Sequence, residues 1–356
     1  MRRSRLWLTA ALLLPVAPLA AAATPAQPAL TQPGLHSEIS FSDYPPIATA
    51  GQVASRLLSP IAAEGARRLL QASGKQLDPQ MIDIRREKYL LYVPRQEPSA
   101  GYGLFVFVPP WPQAQMPDGW STVFDKYGMI FVSAYGSGND ASVFDRRIPL
   151  ALAALGEVKA NFRIDPASTL VGGFSGGSRV ALRIALAYPD EFRGVLLNSG
   201  SDPIAESSTQ LPSPDLFQIF QTRTQVAFVT GDDDQGGLAL DAASLASMRH
   251  WCVSNVSFRN EHGVGHEAAS VQTLDWALHA LLARPKPDSS EMAACRAARR
   301  RDVDSALAGA QRAIDKDPRG DGRRLLLDID GKYGGLAAPQ SIRLGDQCSC
   351  GIFGSR

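Results

Sequence analysis

The chain has 356 residues, 45% of them apolar and 20% charged, with 31 glycines and 25 prolines. That composition is globular and turn-rich, and it excludes a disordered acidic tail or a collagen-like fibre. The formal charge of +1 lacks the basic excess of a phosphate-backbone binder, so nucleic acid is not an expected partner.

Arg2, Arg3 and Arg5 precede an apolar run from Leu6 to Leu19, followed by small residues Ala20 to Ala23. A charged start, a short apolar stretch and a small-residue site make residues 1–23 read as a cleavable secretory signal peptide. The run is too short, and too interrupted by Pro15 and Pro18, for a membrane span of about 20 residues. Cleavage removes three arginines and no acid, so the mature chain turns slightly negative. The expected location is periplasmic or secreted, with no membrane span in the mature chain.

Residues 24–46 carry prolines and few long apolar side chains, which predicts an extended lead-in. Ile47 to Ser73 is Ala/Leu-rich and reads as a helix or helix pair, so 24–80 forms an N-terminal segment. Short apolar runs then follow at Tyr89–Val93, Leu104–Val108, Met129–Val132, Thr169–Val171, Val195–Leu197, Val226–Val229 and Val253–Phe258. Several are nearly continuous in Val, Leu, Ile and Phe, as expected of parallel strands buried on both faces. Helices are predicted between them at Arg147–Asn161, Ser178–Tyr188, Ala239–Trp251 and Glu267–Leu282. This alternation predicts an α/β domain over 81–285, with a mostly parallel central sheet and helices on both faces. A proline linker after Leu282 leads to a small helical C-terminal extension, 286–356. Its basic residues, Arg296 and Arg299 to Arg301, read as a solvated helix face rather than a site for an acidic partner.

Gly173-Phe174-Ser175-Gly176-Gly177 follows an apolar strand and opens a helix. This is the context of a nucleophile elbow, whose serine sits on a strained strand-to-helix turn. The turn aims Ser175 into a cleft and sets the Gly176 N–H at a helix N-terminus, where oxyanion charge is favoured. A serine nucleophile needs a base, and the base an orienting carboxylate; with such an elbow they follow in the order Ser, Asp/Glu, His. The strand Val226–Val229 ends in Asp232-Asp233-Asp234, where Asp234 is the expected acid; Asp232 and Asp233 read as turn formers or a calcium site. Of five histidines, His262 and His266 lie in a Gly-flanked loop past the next strand, and His266, where the loop meets a helix, is the expected base. In the loop Pro109-Pro110-Trp111-Pro112 only Trp111 has an N–H, making it the expected second oxyanion donor. The Trp111 and Trp120 rings are candidates to wall a substrate pocket, or to be core.

These motifs, with Ile164-Asp165-Pro166, Tyr188-Pro189-Asp190-Glu191-Phe192-Arg193-Gly194 and Asn198-Ser199-Gly200, resemble the α/β-hydrolase superfamily. Within it they are most similar to the polyhydroxybutyrate-depolymerase and feruloyl-esterase-like branch, over roughly Met81 to Leu282. The resemblance implies an α/β-hydrolase fold and a secreted carboxylic-ester hydrolase acting through an acyl-enzyme. Ser175 would be the nucleophile, His266 the base and Asp234 the orienting acid, with no cofactor or metal and a small-molecule or polymeric ester as substrate. Pro109-Pro110 stand where the family has His-Gly. Two other readings remain: a serine peptidase of prolyl-oligopeptidase type, and a catalytically silent binding protein on the same fold.

Four cysteines suit an oxidising compartment. A strand of about seven residues and a helix of about sixteen span similar lengths, so the last helix of the α/β domain would return the linker towards Cys252. Cys252–Cys295 is therefore the expected pair. Cys348 and Cys350 remain open between a close pair, free thiols and links to another chain.

Overall fold

The computed structural model describes residues 30–206, 208–285 and 287–353; the expected signal peptide lies outside the described residues. Eight strands form one sheet: β1 (Gly34–Ile39), β2 (Tyr89–Val93), β3 (Tyr102–Val108), β4 (Met129–Ala134), β5 (Ile164–Phe174), β6 (Gly194–Asn198), β7 (Gln225–Gly231) and β8 (Val256–Glu261). Their order across the sheet is β1-β2-β4-β3-β5-β6-β7-β8. β2 is antiparallel to both neighbours, while every pairing from β4 across to β8 is parallel.

Eleven α-helices are described: α1 (Ala50–Leu57), α2 (Pro60–Ala72), α3 (Trp120–Tyr127), α4 (Ile148–Asn161), α5 (Gly176–Ala187), α6 (Pro214–Thr222), α7 (Gln235–His250), α8 (Val271–Leu281), α9 (Ser290–Lys316), α10 (Gly322–Tyr333) and α11 (Gln340–Gln347). None of the described helices is long and apolar enough to cross a membrane.

The central strands are continuous apolar runs because both faces are covered. In β3, Phe105 and Phe107 face one core layer, with Phe131, Leu196 and the inner residues of α3 and α8. Leu104, Val106 and Val108 face the other, with α4, α5 and α6. The strand period of two divides one sequence between two layers. The second layer also takes Val53, Leu57 and Ile61 from α1 and α2, and Leu307, Ile314, Leu326 and Leu344 from α9, α10 and α11. The N-terminal segment and the C-terminal extension thus share a core with the sheet. Asp330 on α10 accepts the Ile61 N–H at 3.0 Å and the Ser59 hydroxyl.

Several element limits differ from the sequence expectation, each for a local reason. The lead-in contains β1, an edge strand with only Ile39 buried, so it carries no apolar run to read. Residues 47–73 divide at Ser59-Pro60, where the Ser59 side chain caps α2 and Pro60 opens it. α7 begins at Gln235 rather than Ala239 because Asp234 caps it. α8 begins only at Val271, capped by Ser270, which leaves 267–270 as loop. β8 lies three residues later than expected: Cys252 takes φ 62° just after α7, and pairing with β7 starts at Val256. As a sheet edge β8 needs little burial, so it runs on through polar Arg259, Asn260 and Glu261. Helices α3 and α6, each under ten residues, were not anticipated.

Cys252 and Cys295 are bonded, as expected, and Cys348 is bonded to Cys350. In the basic run Arg299 pairs with Asp302 at 3.0 Å and Arg296 with Asp288, while Arg300 and Arg301 are exposed.

Candidate active site

Ser175 stands between β5 and α5 with φ 55° and ψ −122°. A non-glycine residue there is strained, and such strain persists only where the surroundings enforce it. Here they do. The Ser175 N–H donates to the Asn198 carbonyl at 2.8 Å. A Cβ on Gly173 would lie 2.3 Å from the Gly177 carbonyl, and one on Gly177 would lie 1.9 Å from the Val108 carbonyl oxygen. The two flanking glycines are therefore dictated by close backbone approach.

His266 Nε2 lies 2.8 Å from Ser175 Oγ, and His266 Nδ1 lies 2.7 Å from Asp234 Oδ2. The three residues come from the ends of β5, β7 and the loop after β8, and parallel strands put those ends on one rim of the sheet. Asp234 is buried, and its other oxygen caps α7 by accepting the Gly237 N–H at 2.9 Å. Burial pushes its carboxyl up, but the Gly237 bond together with the His266 bond and charge outweighs that, and the net shift is downward. The acid is thus held ionised against the ring nitrogen. The His266 ring is half-exposed and lies 5.0 Å, centroid to centroid, from Phe174.

The other histidine of that loop, His262, is elsewhere. It is fully exposed and pairs with Asp232 at 2.7 Å; Asp232 also accepts the Gly263 N–H. Both Asp232 oxygens thus accept hydrogen bonds, and among the described residues no group of three or more His, Cys, Asp or Glu is placed to hold a metal ion.

The two tryptophans part company. Trp111 is half-buried with its ring 5.8 Å from that of Phe174, beside the rim. Its backbone N–H makes no hydrogen bond to another described residue, and the Gly176 N–H is the first of α5, beyond reach of any carbonyl of its own helix. Trp120 corrects the pocket expectation. It is fully buried among Phe105, Phe107, Phe124 and Phe131, and its indole N–H donates to the Ala269 carbonyl at 2.8 Å. It is a core side chain, and the apolar environment of α3 decided that.

One supporting residue was missed as such. Asn198, at the end of β6, is buried; its Oδ1 accepts the Ala269 N–H at 2.8 Å, and its amide donates to the Val229 carbonyl at 3.1 Å and the Glu267 carbonyl at 3.4 Å. It moors the segment carrying His266 to the strand beside Ser175. A polar residue ending an otherwise apolar strand run was the available signal.

No protein-family model matches the chain, and no curated protein matches its sequence. Among solved structures, an S-formylglutathione hydrolase from Staphylococcus aureus is 9% identical, covering 58% of this chain and 96% of that one, with a TM-score of 0.44. A ferulic acid esterase is 16% identical, covering 55% of this chain and 90% of that one, with a TM-score of 0.43. Est1E from Butyrivibrio proteoclasticus is 16% identical, covering 55% and 94%, with a TM-score of 0.39. Likenesses this distant carry no argument about chemistry. The molecule's own strand order, its antiparallel second strand and the strained serine between β5 and α5 make this an α/β-hydrolase fold.

Proposed function

We propose that the chain is a serine hydrolase of carboxylic esters. Ser175 Oγ attacks the ester carbonyl carbon while His266 Nε2 takes its proton. Asp234 holds the other ring nitrogen and stabilises the imidazolium that forms. The carbonyl oxygen, now an oxyanion, accepts from the N–H groups of Gly176 and Trp111. The tetrahedral intermediate then collapses; the carbon–alkoxy bond breaks and His266 returns its proton to the leaving alcohol. Water, deprotonated by His266, adds to the acyl-enzyme and releases the acid and free Ser175. Each oxyanion donor is worth about 3–4 kcal/mol of transition-state stabilisation in comparable sites.

The observation that carries this reading is the continuous chain Ser175 Oγ, His266, Asp234 at 2.8 and 2.7 Å. The motif resemblance supports the depolymerase and feruloyl-esterase-like branch as the place to look for substrate, and the signal-like 1–23 segment supports export.

A serine-directed phosphonate should label Ser175 of the wild type, and Ser175→Ala should lose about 10⁴-fold or more in turnover of an activated ester. Absence of labelling, or undiminished hydrolysis by the alanine variant, overturns the reading. A panel of acetyl, long-acyl and feruloyl esters on the purified chain then sorts the acyl group.

A further inference from the structure

Arg147 is a buried cation with no carboxylate in direct contact among the described residues. Its side chain is almost wholly enclosed. Its three guanidinium contacts are all neutral oxygens: Nε donates to the Ser137 carbonyl at 2.9 Å, one Nη to the Pro109 carbonyl at 2.9 Å, and the other Nη to Asn139 Oδ1 at 3.3 Å. Taking a charge out of water without a contacting acid is expensive, and the three oxygens must offset that cost.

Those oxygens belong to the two loops that flank the elbow. Pro109 opens the loop after β3 that presents the Trp111 N–H. Ser137 and Asn139 belong to the loop after β4, and a Cβ on Gly176 would fall 2.1 Å from Asn139 Oδ1. The loops are further stitched by the Asn139 N–H to the Pro110 carbonyl at 2.9 Å and the Gly136 N–H to the Pro112 carbonyl at 2.6 Å. Prolines at 109, 110 and 112 leave the first loop with a single N–H in that stretch to offer its neighbours, so it cannot pin itself by donating. Donors from outside hold it, and Arg147 supplies the one on the Pro109 carbonyl.

We infer that Arg147 is the positioning residue of the oxyanion hole, its planar fork locking the Pro109–Trp111 loop and Asn139 into the register that aims the Trp111 and Gly176 N–H groups at one point. It acts through those backbone groups, not on substrate. The fork geometry suits arginine and not lysine, whose single ammonium has no such planar array. Burial, then the nearby Arg183 charge, pulls the guanidinium down to about 10 against the opposing pull of Asp140, so it stays charged at neutral pH.

The inference rests on the esterase reading, and the test separates the two. Arg147→Met should lower kcat about 100-fold, the scale of one misplaced donor, with KM changed less than threefold. Affinity for a boronic acid, which mimics the tetrahedral oxyanion, should fall by the same factor, and Arg147→Lys should recover only part. Asn139→Ala, which leaves Arg147 two of its acceptors, should give a smaller loss of about tenfold and serves if the methionine variant misfolds. Independently of catalysis, hydrogen exchange at the Gly136 and Asn139 amides should speed up at least tenfold in Arg147→Lys. Unchanged boronate affinity in a folded variant, or unchanged exchange at both amides, overturns the positioning role. A wild type inert to esters and to phosphonate overturns the esterase reading instead, while the exchange experiment still decides the clamp.

Discussion

Among the described residues there are two carboxylate–imidazole pairs built from the same two strand ends. Asp232 meets His262 and Asp234 meets His266, each at 2.7 Å. The distances are equal and the settings are not. His262 is 100% exposed, whereas the Asp234 side chain is 8% exposed and its histidine reaches on to Ser175. Water screens the first pair and competes for its hydrogen bond, so it ties down a turn and little else. The second is held in a fixed frame, with α7 capped by the same carboxylate and the His266 segment moored by Asn198. Geometry of a pair is common; enclosure and a third partner make it chemistry.

The largest expected break comes from neutralising one acid of each pair. Asp234→Asn keeps a good helix cap but withdraws the anion from His266, and kcat should fall by about 10³–10⁴-fold. Asp232→Asn should change it less than twofold. Steady-state kinetics on the two variants checks this, and equal effects would erase the distinction.

A smaller effect reads the enclosure itself. Asp241 lies on α7 two turns beyond Asp234, wholly buried, with the Thr230 hydroxyl on its carboxylate. Burial lifts its carboxyl to about 6, with the Asp234 charge adding to the lift, while the Thr230 hydroxyl and the nearby Ser201 and Gly200 N–H groups pull it down. A carboxyl raised in the fold is favoured protonated there. Stability linked to it is intact below the unfolded value near 3.8 and is lost as pH rises through 6, by about 3 kcal/mol in full. The difference in unfolding free energy between wild type and Asp241→Asn should therefore swing against wild type by about 2–3 kcal/mol from pH 4 to pH 7. A flat difference would mean that this interior is wetter than its packing implies.

The smallest effect belongs to the exposed pair. The Asp232 hydrogen bond, with its charge, raises the His262 pKa, and the same bond lowers that of Asp232. NMR titration should find His262 moved back towards its ordinary value in Asp232→Asn, with no change in ester turnover.

How much of this was written in the sequence differs along the chain. The central strands were legible because burial on both faces demands unbroken apolar runs, and the elbow because Gly173 and Gly177 sit where a Cβ would strike backbone. The edges were not. β1 and β8 bury little and take their limits from a neighbour's hydrogen bonds, and α7 starts where Asp234 happens to cap it. Trp111 and Trp120 looked alike as residues nine apart, yet one borders the rim and the other fills the core.

The sequence alone thus determined which residue types are available and the order in which strand ends deliver them: a strained serine turn, an acid after β7, a histidine after β8. Only the tertiary structure decided how closely the Asp234–His266 pair meets the serine, that Cys348 joins Cys350, and that Arg147 reaches two loops at once. Those outcomes depend on contacts between segments tens of residues apart. Local pattern fixes period and turn, but enclosure and distance arise only when the layers close.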